Sequence, residues 1–445
     1  MPLIADLSAV AVRARGRVAC RILPFIFLLY IINYLDRVNV SFANLRMSAD
    51  LGFSDRVYGF GVGVFYISYV LFEIPGAILV ERWSASKWIA RIMISWGFIT
   101  ILTGFVHSAG QFYAVRFLLG AAEASFLPGM IVYLTHWFCV RDRSRALACL
   151  LAAIPTASLI GSPLAGWLLV AHWWSLPGWR WLFIVEGIPA LVFGVLTLYY
   201  MTDWPSQARW LPDCEREWLV NQLQAELQAK RNARDYAIVE AFRDARILRL
   251  VAVYLLAMTG ALSNIYWIPI FVKRVSGFSN QTITSLLVIP ALIGIAGILI
   301  NGWHSDRTGE RRWHAAVPMV VAALMYGLLI VTQHSLPLSI SALLMGSGIL
   351  YAFYPVFWAL PTMILSESAA AATLGLIAMI SQIGGFAGPY AIGFLNDRTH
   401  SLTAGFGFIA LAYVAAGSLV LTVKIEHSAK TRQPKQEVLA LRTGS

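Results

Sequence analysis

Twelve separate stretches of this chain are apolar for 19 residues or more, and few folds can accept that. They run roughly over 21–44, 57–80, 88–106, 111–136, 145–171 and 181–202, then 247–271, 283–303, 314–333, 336–362, 370–395 and 402–424. A helix rises 1.5 Å per residue, so about 20 residues cross a hydrocarbon core ~30 Å thick. A soluble domain carries about 25% charged residues. This chain carries 13%, against 58% hydrophobic. The expected fold is an all-α membrane protein of twelve transmembrane helices.

The net charge of +11 suggests a polyanionic partner until it is mapped. Twenty-six of the 34 Lys and Arg fall in, or within the first or last few span residues beside, the N-terminal tail, the alternate loops 2/3, 4/5, 6/7 and 8/9, and the C-terminal tail. This positive-inside bias puts both termini in the cytoplasm and gives no reason to expect nucleic acid. Residues 1–20 hold Arg13, Arg15 and Arg17 but no short apolar region with a cleavage site, so the first helix is expected to stay as its own insertion signal. Cys20, Cys139, Cys149 and Cys214 show no metal spacing, and the eight histidines are scattered. No metal or cofactor is expected. There is no Walker-type phosphate loop for ATP drive and no soluble domain to hold an enzyme site.

The two halves look related. Glu81-Arg82 followed by Lys87-Trp88 recurs 225 residues on as Asp306-Arg307 followed by Arg311-Arg312-Trp313. This divides the chain into a tail (1–20), a six-helix bundle (21–202), a central loop (203–246), a second bundle (247–424) and a tail (425–445). Leu219, Leu223 and Leu227 within Asp213–Arg234 predict an amphipathic helix on the cytoplasmic surface. Two parallel six-helix repeats are the plan of many secondary transporters, with the substrate site near the midplane between them.

Several runs carry a family resemblance: Asn33-Tyr34-Leu-Asp36-Arg37-Val-Asn39, Arg116-Phe-Leu-Leu-Gly120-Ala-Ala-Glu123, and Gly178-Trp-Arg180-Trp-Leu-Phe. To these add Ser305-Asp306-Arg307-Thr-Gly-Glu310-Arg311-Arg312-Trp313-His314 and Gly384-Gly385-Phe-Ala-Gly388-Pro389-Tyr390. With these the chain resembles the major facilitator superfamily, and within it the anion:cation symporters, on the branch of tartrate, phthalate and hydroxyphenylacetate permeases. Loop 2/3 lacks the usual Gly before its basic pair, Ser366-Glu367-Ser368 replaces Ser-Gly-Thr, and Gln382 replaces Asn. The resemblance implies a bacterial inner-membrane protein.

Charges inside a membrane are costly and mark function. Asp36 and Arg37 lie ~22–24 Å along the first span. On the fourth, Arg116 is ~8 Å and Glu123 ~18 Å from the outer end, two turns apart on one face. Burial favours the protonated acid and a nearby guanidinium the ionised one, so moving Arg116 relative to Asp36 would load or release a proton. The resemblance likewise implicates the acids of the first and fourth spans in proton coupling. Asp36 and Glu123 are the expected carriers, with Arg116 tuning them. The planar fork of Arg37 suits a carboxylate, and the resemblance implies substrate binding there. Tyr34, Tyr69, Asn264, Tyr266, Trp267 and Gln382 are further cavity candidates. Structural or gating roles are expected for Glu73 and Glu186. Asp306, Arg307, Arg311 and Arg312 are expected to form cytoplasmic salt bridges that hold one access state closed.

The expected function is import of a small organic anion by proton symport and alternating access, in a monomer. A hydroxy-dicarboxylate, an aromatic acid and a sugar acid all fit. Exchange of organic anions or phosphate esters, and a non-transporting membrane sensor, remain alternatives.

Overall fold

A computed structural model describes residues 2–231, 244–364 and 367–423. It contains twelve helices long and apolar enough to cross a membrane. The first six are α1 (Ala9–Leu51), α2 (Asp55–Val80), α3 (Ala85–Thr103), α4 (Ala109–Trp137), α5 (Val140–Leu169) and α6 (Gly178–Tyr200). A helix outside the spans, α7 (Asp213–Arg231), follows. The second six are α8 (Ala245–Ser276), α9 (Asn280–Thr308), α10 (Arg312–Val331), α11 (Leu336–Pro361), α12 (Thr373–Thr399) and α13 (Leu402–Leu421). Every expected span is present, in two six-helix halves.

The first helix outruns its apolar segment and begins at Pro2. Its basic first turns have partners. Arg15 binds Asp142 through both carboxylate oxygens. Arg17 donates to Glu215 of α7 at 3.2 Å. Leu219 and Leu223 of α7 are buried, whereas Leu227 is exposed. The amphipathic face therefore packs on the protein over its first turns. The last residues of the expected stretch, 232–234, lie outside the described residues.

Five of the spans are interrupted, and two of the breaks fall beside candidate site residues, where the sequence removes a backbone donor or a side chain. In α4 the helix stops at Glu123 and restarts at Phe126, with Ser125 in the left-handed region at φ 69°. Pro128 has no N–H for the carbonyl four residues earlier, that of Ala124. The Ser125 hydroxyl donates to that carbonyl instead. In α12 the break falls at Gln382, just before Gly384 and Gly385. A Cβ on Gly385 would stand 2.5 Å from the Tyr66 ring, and one on Gly388 2.4 Å from the Thr259 carbonyl. These glycines let α12 lie directly against α2 and α8.

The seam between halves is sealed at the end opposite the chain termini. Asp55, in the first turn of α2, pairs with Arg274 at the end of α8, one contact being 2.6 Å. Asn396 donates to Asp55 at 3.3 Å, and the Arg56 backbone N–H to Asp397 at 3.1 Å. Tyr58 donates to the Tyr266 carbonyl at 3.0 Å. Tyr66 and Tyr266 share a hydroxyl hydrogen bond of 2.8 Å, and Tyr266 reaches the Arg37 carbonyl at 3.2 Å.

Candidate transport site

Successive helical residues turn ~100°, so Asp36 and Arg37 face different neighbours. Asp36 points into the first half. It accepts from Thr100 Oγ1 of α3 at 2.8 Å and from Asn39 Nδ2 at 2.8 Å. Arg37 turns to α4. Its Nη2 donates to Glu123 Oε1 at 2.7 Å and its Nε to the same oxygen at 3.2 Å. Asn33 Nδ2 donates to that oxygen as well, at 2.7 Å. Glu123 is fully buried and sits on the last turn before the break in α4. The Arg37 guanidinium also lies 5.0 Å from the centroid of the Tyr69 ring.

Arg116 is the anomaly. It is 1% exposed, and none of its three guanidinium nitrogens has a hydrogen-bond partner among the described residues. Its guanidinium carbon lies 4.8 Å over the Phe65 ring. A cation–π contact offsets only part of the cost of burying a charge. The structure thus pairs the four charges differently from the sequence expectation. Arg37, expected to await an anion, holds Glu123. Arg116, expected against Asp36, makes no hydrogen bond to it in this conformation, and Asp36 is bonded by neutral groups.

The remaining candidates divide. Tyr34 is half-buried one turn before Arg37, and Tyr69 is buried beside it. Tyr266 lies within the site through Tyr66 and the Arg37 carbonyl. Trp267 donates to the Pro389 carbonyl at 3.2 Å and meets Tyr58 edge-on at 5.2 Å, so it belongs to the sealed seam. Asn264 is engaged inside the second half, accepting from Tyr326 at 2.7 Å and Ser347 at 3.1 Å. Gln382 is half-buried at the break in α12. The loop charges pair locally: Asp306 with Arg311 at 2.6 Å, Arg311 with Ser305 at 3.0 Å, and Arg307 over Trp303 at 5.6 Å. Arg312 opens α10.

Sequence reasoning missed Asn33, Asn39, Thr100 and Phe65. The first two were legible. Asn33, Asp36 and Asn39 are spaced by three on one helix and follow a shared face. Thr100 and Phe65 come from other helices and carry no local signal.

Two six-helix halves meeting around a buried cluster of charge are the architecture of a membrane transporter. The chain belongs to the Major Facilitator Superfamily, whose pattern it matches over residues 26–389. It is 39% identical over 417 residues to a protein of Agrobacterium vitis named "Putative tartrate transporter", covering 94% of this chain and 96% of that one. It is 35% identical over 410 residues to the "Putative metabolite transport protein NicT" of Pseudomonas putida, covering 92% of each. Its fold is similar to that of a crystallised D-xylose-proton symporter, with TM-score 0.72, 15% identity, and 92% and 99% of the two chains covered.

Proposed function

We propose that this protein imports a small organic anion together with protons. The observation that carries the reading is the Arg37–Glu123 pair, 2.7 Å apart, with Glu123 buried and the Arg37 side chain 17% exposed. A substrate carboxylate and the Glu123 carboxylate compete for one guanidinium fork. Protonating Glu123 removes its charge and frees Arg37 for the substrate. The pair is neutral before exchange. Arg37, the substrate carboxylate and a protonated Glu123 are together neutral after it. The anion and one proton therefore enter the buried site without changing its charge, which is the electrostatic requirement for reorienting in a low-dielectric medium. The broken turn after Glu123 lets α4 move at that acid without distorting a regular helix.

Asp36 is a second acid in this scheme, with Arg116 supplying positive potential nearby. We read the seal at the Asp55 end as leaving the site open to the end that bears the termini, the cytoplasmic end on the positive-inside bias of Lys and Arg. A carboxylate substrate agrees with the tartrate in the name of the Agrobacterium relative.

The test is a thermal-shift screen of the purified protein against carboxylates and phosphorylated compounds at mildly acidic and neutral pH. A ligand that binds only the folded state stabilises it by RT ln(1 + [L]/Kd). A carboxylate that protects more strongly in acid, and not at all in Arg37→Ala, is the expected result. Protection by phosphate esters alone, independent of pH, would sink the symport reading in favour of exchange.

A further inference from the structure

One buried acid has no part in the exchange above. Glu186, on α6, is 5% exposed and faces Asn39 and, beyond it, Asp36. Among the described residues, two buried atoms in this group lack hydrogen-bond partners: Glu186 Oε2 and Asn39 Oδ1. Asn39 has turned its amide nitrogen to Asp36 Oδ1, so its carbonyl oxygen is the atom left over. If Glu186 were ionised, both orphans would be acceptors with nothing to accept.

Among the described residues no base answers this acid; Arg180, six residues earlier on α6, donates to the Gly104 carbonyl at 2.7 Å. Helix α6 packs against α3, α1 and α5. From α1 it meets Asp36 and Asn39. From α3 the nearby polar group is Thr100. The basic residues of α3, Lys87 and Arg91, stand at its far end, where Arg91 lies 4.0 Å over the Trp88 ring. Arg91 is nine residues from Thr100, about 13 Å along the axis. Helix α5 has no titratable side chain between Ala153 and Leu169. A carboxylate with no cation, placed beside a second carboxyl in a low dielectric, is held far more easily as the neutral acid. One proton converts an orphan acceptor into a donor and supplies the partner that Asn39 lacks.

We infer that Glu186 stays protonated and, as a neutral acid, donates to Asn39 Oδ1, fixing the amide so that Nδ2 points at Asp36. Glu186 is then a positioning residue. It does not carry transported protons; it sets the hydrogen-bond environment of the acid that does. That role of Asp36 rests on the symport reading, but the protonation of Glu186 does not.

Two variants test it in proteoliposomes of the full chain. Glu186→Gln keeps a donor of the same shape; Glu186→Leu removes it. Infrared spectroscopy of the parent should show a protonated-carboxyl C=O stretch that disappears in Glu186→Gln. Uptake by Glu186→Gln should keep the parent's rate and pH profile. Glu186→Leu should fall roughly tenfold, the factor that one lost buried hydrogen bond corresponds to, with its pH profile displaced. The inference is overturned if the parent and Glu186→Gln give the same carboxyl spectrum. It is equally overturned if Glu186→Gln loses proton-driven accumulation while still exchanging substrate, since Glu186 would then be a carrier. Should uptake ignore pH gradients altogether, symport fails, and the infrared comparison still decides the state of Glu186.

Discussion

The two halves share one architecture and differ in what they bury. The first encloses Asp36, Arg37, Glu73, Arg116, Glu123 and Glu186 within its spans. The second has no charged residue over 250–272, 283–305, 313–366 or 368–396. Its interior polar groups are neutral, such as Asn264 with Tyr326 and Ser347. Its charges lie at helix ends, as with Asp244 before α8 and Lys273 and Arg274 in its last turn. A charged interior costs stability, and a neutral one supplies hydrogen bonds without titrating. We propose that proton and anion chemistry belongs to the first half, the second offering shape and neutral hydrogen bonds.

Four substitutions sharpen or break this comparison. The largest effect is expected for Asp36→Asn. Uptake driven by an imposed pH gradient should vanish while counterflow exchange continues; normal uphill accumulation by this variant would refute the division of labour. Arg37→Ala should come next. It strands Glu123 as a buried unpaired charge, and losing one partner of such a pair costs about 3–5 kcal/mol. Thermal unfolding in detergent should show the loss. The double variant Arg37→Met with Glu123→Leu should recover most of the stability and none of the uptake.

A smaller, different effect is expected in the second half. Asn264→Ala removes an acceptor shared by two buried hydroxyls that keep each other at 3.2 Å and the Leu343 carbonyl at 2.6 Å, so it should cost about 1 kcal/mol in stability. Its pH profile of uptake should match the parent's. A displaced profile would mean that the second half takes part in proton coupling. The smallest effect is at Asp244, whose side chain caps α8 by accepting from the Arg246 N–H at 2.8 Å. Hydrogen bonds from the Arg246 side chain hold its carboxyl below the usual range. A carboxyl depressed by folding stabilises above its unfolded value, near ~3.9. That contribution is lost as pH falls through the lower folded value. Asp244→Ala should therefore cost about 1 kcal/mol at neutral pH and less in strong acid, with transport unaffected.

The sealed seam gives a further contrast between what is local and what is not. Its glycines at 384, 385 and 388 formed a recognisable motif, because close approach of backbones needs residues without Cβ. Its polar latch of Asp55, Arg274, Asn396 and Asp397 did not stand out, since each residue lies at a helix end where charges are ordinary. Likewise Asp306, Arg307, Arg311 and Arg312 read as a gate in sequence; here Asp306 pairs with Arg311 and Arg307 lies over Trp303. Which of two access states a set of charges locks depends on how the halves are tilted, and no spacing along the chain encodes that.

Span number, the two-fold repeat and the buried acids and bases were all readable from the chain alone. Each follows from a local quantity: length of an apolar run, recurrence of a loop motif, or depth along a helix at a fixed rise per residue. The partners of those charges were decided by the tertiary structure. Arg37 rather than Arg116 meets a carboxylate because adjacent residues leave a helix ~100° apart and the neighbouring helices determine what waits in each direction. The break after Glu123 stands between the two cases. Pro128 made it possible, and Ser125 completes it by satisfying the carbonyl that proline left without a donor.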